Sequence, residues 1–158
     1  MERLFTTEEL GDTRKSLGER GEALAATFLE AAGYRLVLSN FKVPVGRNTR
    51  GVQVTGEIDL IAIDEDGVLC FVEVKTRSSA ELFEPIAAVN SRKQRQITRA
   101  AKVYRRLFGV WERRFRYDVV SVVIRDGEAP QIGLDRGFWT DEKFKKRRWE
   151  NEMWHEFR

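Results

Sequence analysis

Four charged residues interrupt the apolar stretch GEIDLIAIDEDGVLCFVEVKTR at alternate positions: Glu57 and Asp59 in its first half, Glu73 and Lys75 in its second. Two runs rich in Ile, Leu and Val on either side of a turn make a hairpin. The turn decides which charges meet. Glu65-Asp66-Gly67 suits a three-residue loop with glycine at the position that needs a positive φ. That loop pairs Asp64 with Val68, and so sets Asp59 opposite Glu73 and Glu57 opposite Lys75. All four then share one face, with Leu60, Ala62, Val72 and Val74 on the other. Carboxylates directly opposite one another repel unless positive charge stands between them. Mg²⁺ or Mn²⁺ meets that need through hard oxygen ligands, and Mg²⁺ keeps several of its waters. A lysine on the same face can then help activate a water or stabilise charge developing on a phosphate. The competing arrangement pairs Lys75 with Glu57 and gives the two acids arginines from nearby loops. The hairpin alone leaves both open.

The elements that must hold these residues are legible from periodicity. TRKSLGERGEALAATFLEAA, residues 13–32, places Leu17, Leu24, Ala25, Phe28 and Ala32 at helical spacing, and Gly33 ends the helix. Glu22 lies within about 60° of Ala25, Ala26 and Leu29 around that helix, bordering its buried face. Gly18 and Gly21 leave room for another backbone or a ligand to approach. YRLVLSNFKV reads as a strand and PVGRNTRG as the tip of a loop or hairpin. A second helix starts at Ser91 as N-cap, with Ile97, Ala100, Ala101, Tyr104, Leu107 and Phe108 as its inward stripe. Gln94 falls one turn before Ile97, placed either to reach a phosphate or a metal water or to tie down a loop. RYDVVSVVIRDG is a fourth strand, and FWTDEKFKKRRWENEMWHEFR a short helix or arm. The order is α-β-β-β-α-β followed by a tail.

The chain has 158 residues, enough for one core, with a net charge of +3 and a pI near 9.2. The positive excess is concentrated between residues 91 and 116, where Glu112 is the only acid. Such clustering is either an electrostatic footprint for nucleic acid or a solvated helix face. A lone cysteine, Cys70, cannot form an internal disulfide and fits a reducing compartment. MERLFTTEEL is no secretory signal, and no apolar run approaches a membrane span. The expected setting is the cytoplasm, with no membrane.

Together these pieces resemble the PD-(D/E)xK nuclease superfamily and, within it, the YraN family of uncharacterised bacterial proteins. The resemblance rests on GERGEALAATFLEAAGYRLVLSNF, the GEIDLIAIDEDGVLCFVEVKTR hairpin, NSRKQRQITRAAKVY and RYDVVSVV, in that order. It implies a restriction-endonuclease-like α/β core over residues 13–126, a central mixed sheet flanked by helices. An N-terminal extension (1–12) and a C-terminal helical arm (127–158) would flank it. It also implies roles: Asp59, Glu73 and Glu22 toward Mg²⁺ (or Mn²⁺), Lys75 as the ExK lysine, Gln94 as accessory polar group, and Glu57 in support. Arg47 and Arg50 in the long 42–55 segment, with Arg77, Arg92, Lys93, Arg95 and Arg99, are the candidate nucleic-acid contacts. The implied activity is metal-dependent hydrolysis of phosphodiester bonds in DNA, branched or flapped structures included. The alternatives are a non-catalytic nucleic-acid-binding module on the same fold, or an assembly protein. Related resolvases act as dimers, which leaves a homodimer open with the arm as candidate surface. Trp139, Trp149 and Trp154 are open to base stacking, core packing or a dimer contact. Asp118 matches a family strand motif without a local reason for a catalytic role.

Overall fold

A glycine turn and strand alternation set the centre of the fold. The computed structural model describes residues 7–78 and 89–145. Helix α1 spans Thr7–Ala31 and is followed by strands β1 (Arg35–Arg47), β2 (Gln53–Ile63) and β3 (Leu69–Ser78). Helix α2 (Ser91–Leu107) leads to β4 (Phe115–Ile124), β5 (Gln131–Trp139) and a 3-10 turn, Asp141–Phe144. The strands form one mixed sheet in the order β1-β2-β3-β4-β5. Only β3 and β4, which α2 connects, run parallel. No helix among the described residues is long and apolar enough to cross a membrane.

Gly67 takes φ 79° and closes the expected loop, with the Asp64 N–H donating to Val68 O and the Gly67 N–H to Asp64 O, both at 3.0 Å. The ladder above it pairs Ile63 with Leu69 and Leu60 with Val72, as that loop dictates. One side of the sheet packs α2, burying Ile58, Ile61, Phe71, Ile97, Tyr104 and Tyr117. The other packs α1, burying Ala25, Leu29, Leu60, Ala62, Val72 and Val120.

Several expectations are corrected. α1 begins at Thr7, within the stretch expected to be an extension. The N-cap of α2 is Asn90, whose side chain accepts from the Lys93 N–H, and not Ser91. Leu107 and Phe108 are exposed, because the helix has carried them off the sheet, and Arg105 is buried in the last turn instead. Residues 131–139 are a fifth strand rather than part of a helical arm. QIGLDRGFW hides this, since two glycines dilute its strand character. Trp139 settles among the readings open for it as a core residue: it stacks on Tyr117 with centroids 4.7 Å apart, and its Nε1–H donates to Thr98 Oγ1 at 2.9 Å. Trp149 and Trp154 lie outside the described residues.

At the loop end of the hairpin a polar network is buried and fully paired. Arg116 donates from Nε to Asp118 Oδ1 (2.7 Å), from Nη1 to Asp64 Oδ2 (3.0 Å) and from Nη2 to the Tyr34 hydroxyl (3.1 Å). Asp118 also accepts the Gly137 N–H from β5 (2.9 Å). Asp118 is therefore a structural acid that ties three strands and the end of α1 together. Cys70 lies against Arg116, and burial pushes its thiol up to about 12, so it stays protonated and inert. Removing one partner of a buried pair strands the other. Asp118→Ala should therefore cost about 3–5 kcal/mol of stability in urea unfolding.

Candidate active site

β3 follows β2 only as far as Val72 opposite Leu60, yet stays paired with β4 along its whole length. The sheet forks at this point, and the Val74 N–H loses its ladder acceptor. Asp59 replaces it: its Oδ2 accepts the Val74 N–H at 2.8 Å. The aspartate is buried and anchored by backbone, with its carboxylate held in the fork.

Alternation in β2 slips at the same residue. Ile58 and Ile61 both pack on the α2 side, while Leu60 and Ala62 pack on the α1 side. Asn40, set opposite Asp59 by the flanking pairs Ser39–Leu60 and Phe41–Ile58, has a left-handed φ of 54°. Asparagine tolerates this better than other residues with a β-carbon. The slip corrects the expectation that four charged residues share one face. Glu57 stands on the α1 side, paired with Lys42 at 3.4 Å, so the alternative Lys75–Glu57 pair is also absent.

Glu73 and Lys75 project toward α2. Glu73 is only 3% exposed, with the Lys75 ammonium 3.3 Å from its Oε1 and Lys93 of α2 3.8 Å from its Oε2. Oε2 nevertheless has no hydrogen-bond donor. Burial, and then the charge of Asp59, raise the pKa of Glu73 well above the carboxylate range despite both lysines. Glu22 is half-buried on α1. Burial, Asp59 and Glu57 raise its pKa, against a hydrogen bond from Asn40. It gets there through Gly21: a β-carbon at that position would collide with the Thr76 side chain on β3. Gly18 meets nothing comparable.

The structure thus brings Asp59, Glu73 and Lys75 together and sets Glu22 within electrostatic reach. It does not bring Gln94 in. That side chain is buried, but Nε2 donates to Val89 O (2.6 Å) and Oε1 accepts from Lys143 (2.8 Å), so it ties down a loop. Lys93, expected on a phosphate, lies against Glu73. Arg92, Arg95 and Arg99 are exposed on α2, Arg95 over the Phe144 ring at 5.5 Å. Arg77 is half-buried on β3 beyond Lys75. Arg47 and Arg50 stand at the exposed tip of the β1–β2 hairpin, which the 42–55 segment lengthens, and Arg47 Nη1 donates to Gly51 O at 2.7 Å. Sequence reasoning missed Asn40 and Lys143. An asparagine inside an apolar strand was the only available signal for the first.

Among the described residues, no three His, Cys, Asp or Glu side chains gather in metal-binding geometry. What is present is a pair, Asp59 and Glu73, with one buried oxygen lacking a donor. Such a donor set fits Mg²⁺, which is commonly held by one or two carboxylates and otherwise by water and phosphate.

Comparison with known proteins places this chain. Residues 21–122 match the model of "Uncharacterised protein family UPF0102", and the chain belongs to that family. A UPF0102 protein of Trichlorobacter lovleyi is 37% identical over 78% of this chain and 89% of its own. Those of Chlorobium phaeobacteroides and Geobacter sulfurreducens are 38% and 42% identical, over 79% and 75% of this chain and 91% and 84% of theirs. This is the YraN family that the motifs resembled. One solved structure, "Crystal structure of SSO0001", aligns with 83% of this chain and 52% of its own at 16% identity, with a TM-score of 0.36 that carries no argument.

Two predictions follow from this geometry. A buried glutamate with a raised pKa stabilises the fold below its unfolded pKa, and that contribution is lost as pH rises through the folded value. Glu73→Gln should therefore raise the metal-free Tm at pH 8 by a few °C, roughly what 1 kcal/mol produces in a chain this size, and much less in acid. Gly21→Ala should destabilise by about 1–3 kcal/mol through overpacking. Adding Thr76→Ala should restore only part of that loss, because the Cβ of residue 76 itself lies 2.7 Å from the added carbon, whereas Thr76→Gly removes the whole obstacle, as thermal melts of the single and double variants would show.

Proposed function

We propose that this protein is a metal-dependent phosphodiesterase acting on nucleic acid, DNA first, on a restriction-endonuclease-like core. The observation that carries the reading is the buried Glu73 Oε2 without a donor, beside backbone-anchored Asp59 and under Lys75. A buried, repelling carboxylate pair is costly, and a divalent cation supplied with substrate offsets that cost.

Asp59 and Glu73 would hold Mg²⁺ or Mn²⁺. When bound, the ion contributes Lewis acidity and an acidified water. Asp59 is kept in place by the Val74 amide, so its orientation costs little on binding. Lys75 is 42% exposed at its side chain, close enough to Glu73 to be oriented and open enough to meet a phosphate. It would stabilise charge on the phosphoryl oxygens as the leaving oxygen departs. Glu22, its pKa raised by burial and then by Asp59 and Glu57, would take or return a proton at the α1 side of the fork. Arg92, Arg95 and Arg99 would hold the backbone, giving sequence-tolerant and strongly salt-dependent binding.

The test is cleavage of labelled single-strand, duplex, flap and four-way-junction DNA with Mg²⁺, Mn²⁺ or EDTA. Asp59→Ala, Glu73→Ala and Lys75→Ala, each shown to be folded, should lower the metal-dependent rate about a hundredfold or more. Binding without cleavage by wild type and variants alike would assign a non-catalytic nucleic-acid module instead. Cleavage that survives all three substitutions would place the chemistry elsewhere.

A further inference from the structure

The positive charge of α2 continues well past the candidate site. Arg92, Arg95, Arg99, Lys102 and Arg106 recur at three- and four-residue steps. At 100° per residue these five fall within about 80° of one another, and at 1.5 Å per residue they form a row about 21 Å long. Its first member adjoins Lys93, the lysine facing Glu73. At its far end lies a cavity of about 620 Å³, lined by Lys102, Arg105, Arg106, Trp111, Phe115 and Tyr117 among others.

Arg105 is the group in this cavity that the fold leaves unfinished. It is 6% exposed, and its guanidinium lies 4.2 Å from the Trp111 ring and 3.8 Å from the Phe115 ring. Nη2 donates to the Trp111 carbonyl at 2.7 Å, but the buried Nε has no acceptor. Among the described residues no carboxylate pairs with it. The two rings offset part of its desolvation. They explain how Arg105 anchors the chain after α2, and they leave a buried positive charge with no counter-ion. Neither acid at the rim is in ion-pair contact with it. Asp141 accepts the Tyr117 hydroxyl at 2.6 Å, and Glu142 pairs with Lys145 at 2.8 Å. Trp111 remains 41% exposed and Arg106 lies over its ring at 5.2 Å.

We propose that this cavity takes one nucleotide of a strand lying along the cation row from the candidate active site, its phosphate on Arg105 and Arg106 and its base against Trp111. The proposal rests on the nucleic-acid reading above and extends it to a second contact point at the other end of α2. An anion supplies the missing counter-charge, and a flat base suits an exposed indole in a sequence-tolerant way. The cavity would then fix how far the bound strand extends from the fork.

The test is fluorescence anisotropy of a labelled single-stranded oligonucleotide with the full chain, in EDTA so that nothing is cleaved, over a range of salt. Trp111→Leu should weaken binding about tenfold, the loss of one stacked base, with the salt dependence unchanged. Arg106→Ala should weaken it and lower the salt slope by about one. Both positions are at the surface, so neither relies on the fold surviving loss of Arg105. Arg95→Ala is the control on the row itself. Wild-type affinity in Trp111→Leu and Arg106→Ala, with Arg95→Ala weakened, would overturn the cavity and leave the nucleic-acid reading standing. No binding by the wild type would overturn both. A change of oligomeric state in the cavity variants with affinity intact would give the cavity to a second copy of the chain and overturn the proposal.

Discussion

The hydrogen bond from the Val74 amide to the Asp59 carboxylate is the contact on which the arrangement of this molecule turns. β3 keeps its parallel partner β4 along its full length and parts from β2 after Val72. A fork inside a sheet exposes backbone donors in a place where water is scarce, and each must find an acceptor. A carboxylate from the departing strand is a strong one, because the hydrogen bond is charge-assisted. The same bond that repairs the sheet therefore fixes an acid in the fork. Glu73, next along β3 before Val74, is buried beside that fixed charge as a direct consequence.

Helices bring the remaining groups from both sides. α1 reaches the fork because Gly21 has no β-carbon to strike Thr76, and Glu22 is carried in with it. α2 begins at an Asn90 cap that orients its first turn, and Lys93 in that turn faces Glu73. Its basic row follows from the same helical geometry: with the inward face taken by Ile97, Ala100, Ala101 and Tyr104, the arginines are left on the opposite side. One helix thus supplies a counter-charge to the fork and a positive surface leading away from it.

The two ends of the β2–β3 hairpin show how similar side chains acquire different meanings. At the loop end, Asp64 and Asp118 share Arg116, and Tyr34 and the Gly137 amide complete the network. Every buried charge there has its partner, and the network holds strands together. At the fork, two acids face each other, one oxygen has no donor, and the lysines are partly open to solvent. An unsatisfied buried carboxylate is destabilising when the protein stands alone. On the proposed function a cation and a phosphate would complete it, and Arg105 in the distal cavity would follow the same logic with the sign reversed.

The register of the hairpin was legible in the sequence because Gly67 dictates a loop length, and loop length dictates who pairs with whom. Amphipathic periods likewise placed both helices and the charged residues on them. Membership in the family rested on motifs that are themselves local. What sequence could not decide was where alternation fails. The slip at Asp59, opposite a left-handed Asn40, moved Glu57 to the other side of the sheet, and no period-two argument anticipates a slip. Nor could it assign Gln94, whose two amide ends are taken by a loop carbonyl and by Lys143, nearly fifty residues downstream. The fifth strand was lost for a similar reason, since its stability comes from pairing with β4 more than from its own composition. Local steric and periodic rules are written residue by residue along the chain. A fork, a shared counter-ion and a strand edge arise only when distant segments meet, and tertiary structure alone decided those.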